Sequence, residues 1–149
     1  GSEMCIRDRF AVVLCLLLLL AFIWGNSLLP SEYSKVLSDW LTTMLGGEIV
    51  KAGDKAASWL TSANIRTAAH FSEFAALGFV AIKYINAKVT IKCAAILSTI
   101  LFGILVALAD ETIQIFNDRF SSVEDVWTDI AGFMLGFLIA HFFFRSKKS

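Results

Sequence analysis

The chain has 149 residues, 57% hydrophobic and 17% charged, with a single proline and a mean hydropathy of +0.70. A soluble domain of this size holds about 45–50% apolar residues, so the composition excludes an ordinary soluble globule and points to helices in lipid. Thirteen basic and thirteen acidic residues cancel to zero net charge, which removes the electrostatic case for nucleic acid as a partner.

Residues 1–9 look foreign: Gly1-Ser2 has the form of a cloning scar, and the stretch after it reads like translated vector. A single membrane domain is expected over residues 10–149. Residues 10–29 form the first span, with five consecutive leucines at positions 16–20. About 20 residues rising 1.5 Å each cover a hydrocarbon core of about 30 Å. Arg7 and Arg9 ahead of the run also suit a signal peptide, but no A-x-A site follows. The run leaves through Trp24-Gly25-Asn26-Ser27-Leu28-Leu29-Pro30, so a retained helix is expected, with Trp24 at the membrane interface. Cys5, Cys15 and Cys93 have no paired spacing and read as free thiols, and Val12-Val13-Leu14 is not a lipobox for Cys15.

Residues 31–64 are the least hydrophobic stretch. Val36, Leu37, Trp40, Leu41, Met44 and Leu45 recur at helical spacing, with Glu32, Lys35 and Asp39 opposite. Gly46-Gly47 is expected to break this helix, with residues 49–60 forming a second short one. The segment should lie along the extracytoplasmic membrane surface, or cap the bundle as a soluble element.

Residues 65–85 make the second span, carrying Arg66, His70, Ser72 and Glu73. Residues 91–109 make the third, ending in Asp110-Glu111-Thr112-Ile113-Gln114, and residues 126–144 the fourth, ahead of Arg145, Lys147 and Lys148. The expected fold is therefore an all-α membrane protein, a four-transmembrane-helix bundle with an extracytoplasmic interfacial helical segment between helices 1 and 2. The short 86–88 connection makes spans two and three antiparallel neighbours. Lys83, Lys88 and Lys92 at that turn, with the basic C-terminus, put both termini in the cytoplasm by the positive-inside rule.

The informative residues are the polar ones inside the spans. His70 and Glu73 are three apart and share a helix face with Arg66; Asp110 and Gln114 are four apart, as are Asp125 and Asp129. The Asp125–Asp129 face continues into Gly132 and Gly136, whose small size lets helices approach closely, so it should point into the bundle. An ionisable residue at a helix centre costs about 2.5–3.5 kcal/mol. Such residues persist when paired, wet or functional. The topology delivers His70, Glu73, Asp110, Glu111, Gln114, Asp125 and Asp129 to the outer end of the bundle, with Arg66 and Arg119 beside them as ligands or as partners for the carboxylates. Glu48, Asp118 and Glu124 read as solvated loop charges, and His141 as an interface residue at the opposite end.

Taken in order, Asn26-Ser27-Leu28-Leu29-Pro30, Ala69-His70-Phe71-Ser72-Glu73-Phe74, Asp110-Glu111-Thr112-Ile113-Gln114-Ile115-Phe116, Arg119-Phe120, Asp125-Val126 and Asp129-Ile130-Ala131-Gly132 with Gly136 resemble the VanZ-like family of small multi-span bacterial envelope proteins. Asp129 stands where many relatives would carry asparagine, which adds an acid and favours a cation. The resemblance implies a plasma-membrane envelope protein linked to teicoplanin-type glycopeptide resistance, without implying a particular activity.

Three readings of the polar end remain open. In the first it binds, or performs acid–base chemistry on, an envelope lipid or lipid-linked cell-wall intermediate, as an intramembrane hydrolase or transferase. His70, Glu73, Asp110, Glu111 and Asp125 are then the catalytic candidates, with Arg66, Gln114, Arg119, Asp129 and Ser27 as the substrate-binding ones. In the second the chain is a non-catalytic binding or shielding protein that keeps lipoglycopeptides off the surface. In the third it holds a divalent cation, with His70, Glu73, Glu111, Asp125 and Asp129 as donors. A transporter is disfavoured, because four spans without a broken-helix pair leave little room for alternating access unless the protein oligomerises.

Overall fold

The computed structural model describes residues 6–51, 61–86, 92–117 and 123–146. Five helices account for nearly all of them: α1 (Ile6–Leu28), α2 (Ser31–Lys51), α3 (Ser62–Asn86), α4 (Lys92–Phe116) and α5 (Val123–Ser146). No strand occurs among the described residues.

Local chemistry sets several of the ends. Pro30 has no N–H to extend the α1 ladder, and α2 begins directly after it. Thr61 precedes α3, and its hydroxyl accepts the Asn64 backbone N–H at 3.2 Å, satisfying one of the orphan donors at a helix start. At the end of α4 the Asn117 side chain donates to the Ile113 carbonyl at 3.0 Å.

Among the described residues three helices are long and apolar enough to cross a membrane: α1 over Arg9–Leu28, α4 over Cys93–Phe116 and α5 over Val123–Phe143. Helix α3 is as long as α4, at 25 residues, but Arg66, His70, Glu73 and Lys83 dilute its apolar character. Its position explains why that is tolerated. Helix α3 packs against each of the other four helices, most extensively against α5, so protein rather than lipid surrounds most of it.

The α3–α5 contact is built on glycine. A methyl group added at Gly136 would overlap the Ala75 carbonyl, one at Gly132 the Phe71 carbonyl, and one at Gly78 the Phe133 carbonyl. These helices therefore meet backbone to backbone, as the Gly132/Gly136 spacing predicts. The pairs 71 with 132 and 75 with 136 advance together, so α3 and α5 run parallel. Below the polar end Ile23, Phe74, Leu77, Ala81, Val106, Ala107 and Phe133 form the buried core. Leu17, Leu18 and Phe22 on α1, Leu97, Leu101 and Leu105 on α4, and Ile139 and Phe142 on α5 stay exposed, an apolar exterior suited to lipid.

Two details differ from the sequence reading. Helix α2 runs unbroken through Gly46 and Gly47, because a glycine costs a helix only about 1 kcal/mol relative to alanine; of the expected second short helix, residues 52–60 lie outside the described ones. Helix α4 continues to Phe116, which keeps Asp110–Gln114 inside the helix instead of at its boundary. Trp24, near the end of α1, also packs on the core cluster, with its indole Nε1 buried and without a hydrogen-bond partner among the described residues.

Candidate functional site at the polar end of the bundle

The site forms where the C-terminal ends of α1 and α4 meet the N-terminal halves of α3 and α5. Its centre is Asp110, whose side chain is fully buried. The Ser27 hydroxyl, from α1, donates to Asp110 Oδ1 at 2.7 Å, and Gln114 Nε2 donates to Asp110 Oδ2 at 2.9 Å. Gln114 also donates to Glu111 Oε1 at 3.1 Å. The Asp110–Gln114 spacing of one helical turn thus makes a rigid clamp: an amide from the next turn fixes the carboxylate while a serine from another helix holds its second oxygen.

His70, on α3, brings Nδ1 to 3.8 Å from Asp110 Oδ2. Glu73, one turn further along, turns towards α1 instead, where Asn26 Nδ2 donates to its Oε1 at 3.2 Å. Asp129 on α5 is 1% exposed, and both of its carboxylate oxygens are buried without a hydrogen-bond partner among the described residues. Side-chain donor atoms of His70, Asp110 and Asp129 all fall within 4.8 Å of one another. Three helices therefore converge on one point.

Beside that point lies a small cavity of about 10 Å³, lined by Arg66, Thr67, His70, Glu111, Gln114, Asp125, Thr128 and Asp129. That volume admits about one water-sized sphere. The electrostatics are lopsided. Asp110, Glu111 and Asp129 are all at least 95% buried, and carboxylates so close together cannot all be ionised without a compensating charge. Arg66, half-buried on the cavity wall, supplies one.

Most residues expected at the site arrive there: Arg66, His70, Glu111, Gln114, Asp125 and Asp129 line the cavity, and Asp110 sits behind it. Ser27 is fully buried and reaches Asp110. Glu73 stands one step aside, joined to Asn26. Arg119 and Asp118 lie outside the described residues. Of the five expected metal donors, His70 and Asp129 belong to the close-set group, and its third member is Asp110, expected instead as an acid. Asn26, Thr67 and Thr128 were not anticipated. Helical spacing could have found the threonines, since Thr67 lies three residues before His70 and Thr128 three after Asp125.

The sequence profile of the VanZ/LLP1 family matches residues 10–144. The chain belongs to that family. The match runs through all five helices and contains every residue of the site, so the polar end lies within the VanZ/LLP1 domain. No curated protein and no solved structure matches the chain. As a VanZ/LLP1 protein with three helices apolar enough to span a membrane, it is a membrane protein by family and by composition.

Proposed function

We propose that the chain crosses the bacterial plasma membrane four times, with both termini cytoplasmic, and binds the anionic head group of an envelope amphiphile at the extracytoplasmic, polar end of the bundle. The observation that carries this reading is Arg66, half-buried on the wall of the cavity beside the converging His70, Asp110 and Asp129, a positive charge that an anionic head group at the mouth meets. The cavity is too small to swallow a phosphate or a sugar, so the head group rests at its mouth. The acyl or prenyl chain then lies along the exposed apolar faces of α4 and α5. Helix α3 counts as the fourth span because its partners, not lipid, face its polar residues. A lipid-linked cell-wall intermediate has this amphiphilic form and fits the link to teicoplanin-type glycopeptide resistance that the family resemblance implies.

The His70–Asp110 contact favours a second reading, in which binding is followed by proton transfer. Asp110 is held by two hydrogen bonds and can orient the imidazole, the arrangement a general base needs. A third feature supports contact with the membrane surface. Tyr33, Val36, Trp40 and Met44 form an exposed apolar stripe on α2 at helical spacing, suited to an interfacial helix or to shielding the surface from a lipoglycopeptide.

The test is purified protein presented with envelope lipid extract. Arg66→Gln is expected to retain less anionic lipid, whereas His70→Ala is expected to abolish any turnover. Equal retention by wild type and Arg66→Gln sinks the head-group reading; equal turnover by His70→Ala sinks the acid–base extension.

A further inference from the structure

The wall of the cavity presents an unsatisfied carboxylate among donors able to share a ligand. Asp129 lines the cavity at 1% exposure with neither oxygen hydrogen-bonded among the described residues. A buried carboxylate without a partner costs several kcal/mol, and Asp110 and Glu111 add two more buried acids on the facing helix. Such a cluster needs positive charge that reaches its interior.

The distances say what kind. His70 Nδ1 and Asp110 Oδ2 are 3.8 Å apart, longer than a hydrogen bond yet within the span of two donors on one ion, each about 2.0–2.2 Å from it. The three donors lie within 4.8 Å of one another, whereas ligands of a tetrahedral ion stand about 3.4 Å apart, so binding draws the side chains together by up to about 1.4 Å. The adjoining cavity of about 10 Å³ has room for one small further ligand on such an ion and excludes a phosphate group. Asp110 still has lone pairs to offer, because a carboxylate has about four acceptor sites and two accept from Ser27 and Gln114. Hydrogen bonds of that kind orient carboxylate ligands in metal sites.

We propose that His70, Asp110 and Asp129 bind one divalent transition-metal cation, of the Zn²⁺ or Mn²⁺ class, at the point beside this cavity where the three side chains converge. One imidazole with two carboxylates sits between the hard set preferred by Mg²⁺ and the softer sets of copper. Three protein ligands leave a coordination position open, as in catalytic zinc sites. That position deepens the head-group reading and rests on it: an anionic oxygen at the cavity mouth completes the ion's shell, which lets an acid-rich pocket accept an anion.

The experiment uses the full chain purified in detergent and stripped with EDTA, then exposed separately to Zn²⁺, Mn²⁺ and Mg²⁺. Elemental analysis and the melting temperature are the readouts. Wild type is expected to retain one Zn²⁺ or Mn²⁺ per chain and to melt higher with it. Asp129→Asn and His70→Asn are expected to lose both effects, and Ser27→Ala to weaken metal binding by about 10- to 100-fold. No retained metal and no shift for wild type overturns the site without relying on any variant. Equal retention by Asp129→Asn overturns it as well, by placing the ion elsewhere, and Mg²⁺ bound as tightly as Zn²⁺ overturns the role given to His70. Metal binding without lipid retention keeps the cation site and removes the head-group reading; anionic lipid held equally well by EDTA-stripped protein keeps the head-group reading and overturns the ion's part in it.

Discussion

The two ends of helix α3 are held by opposite physics. In its middle and C-terminal half, Gly78 and Ala75 let α3 meet α5 backbone to backbone, and the stabilisation is van der Waals contact with almost no polar component. In its N-terminal half, Arg66, His70 and Glu73 face carboxylates and amides from α1, α4 and α5, and the gain from each contact is offset by the cost of desolvating charge. The first region tolerates no added volume; the second is sensitive to charge and to single hydrogen bonds. A helix that carries both is stable because of the first and useful because of the second.

Substitutions at the two ends separate these contributions. Gly136→Ala drives a methyl group into the Ala75 carbonyl and is expected to destabilise the chain by about 1–3 kcal/mol, at the upper end because backbone has to move. A drop in melting temperature in detergent measures it, and an unchanged value would mean that α3 and α5 do not touch there. Ser27→Ala leaves one buried Asp110 oxygen without its donor and is expected to cost about 1–2 kcal/mol in the same assay. Leu101→Ala, on the lipid-facing side of α4, is expected to stay within about 0.5 kcal/mol. Were it to cost as much as Gly136→Ala, that face would be packed against protein.

Asp129→Asn sharpens the comparison by its sign. It preserves volume and removes a buried charge without a partner among the described residues, so the metal-free variant is expected to melt no lower than metal-free wild type. A large loss would mean that the charge is already compensated.

Much of this was legible in the sequence, and the limits are physical. Hydropathy alone identifies α1, α4 and α5, since their apolar runs exceed the membrane thickness. Residues 65–85 read as a span as well, although their polar residues leave α3 less apolar than the other three, because burial among helices relaxes the demand for an apolar surface. The gathering of His70, Asp110 and Asp129 followed from a short α3–α4 connection and from a glycine face that turns α5 inward. Which group bonds to which was not legible. Ser27 and Asp110 are 83 residues apart, and their contact depends on the rotation of α1 and α4 about their axes, set by packing across the whole bundle. For the same reason His70 and Glu73, neighbours on one face, reach different helices. Gly46-Gly47 misled because glycine spacing alone does not decide whether a helix ends.

The most direct test is an experimental density map of the detergent-purified chain, prepared without chelator in the presence of envelope lipid. The account predicts an ion-sized peak between His70, Asp110 and Asp129, with an anionic head group at the cavity mouth beside Arg66. An ordered pocket with no such peak, and Asp129 turned to pair with an arginine side chain, would contradict it.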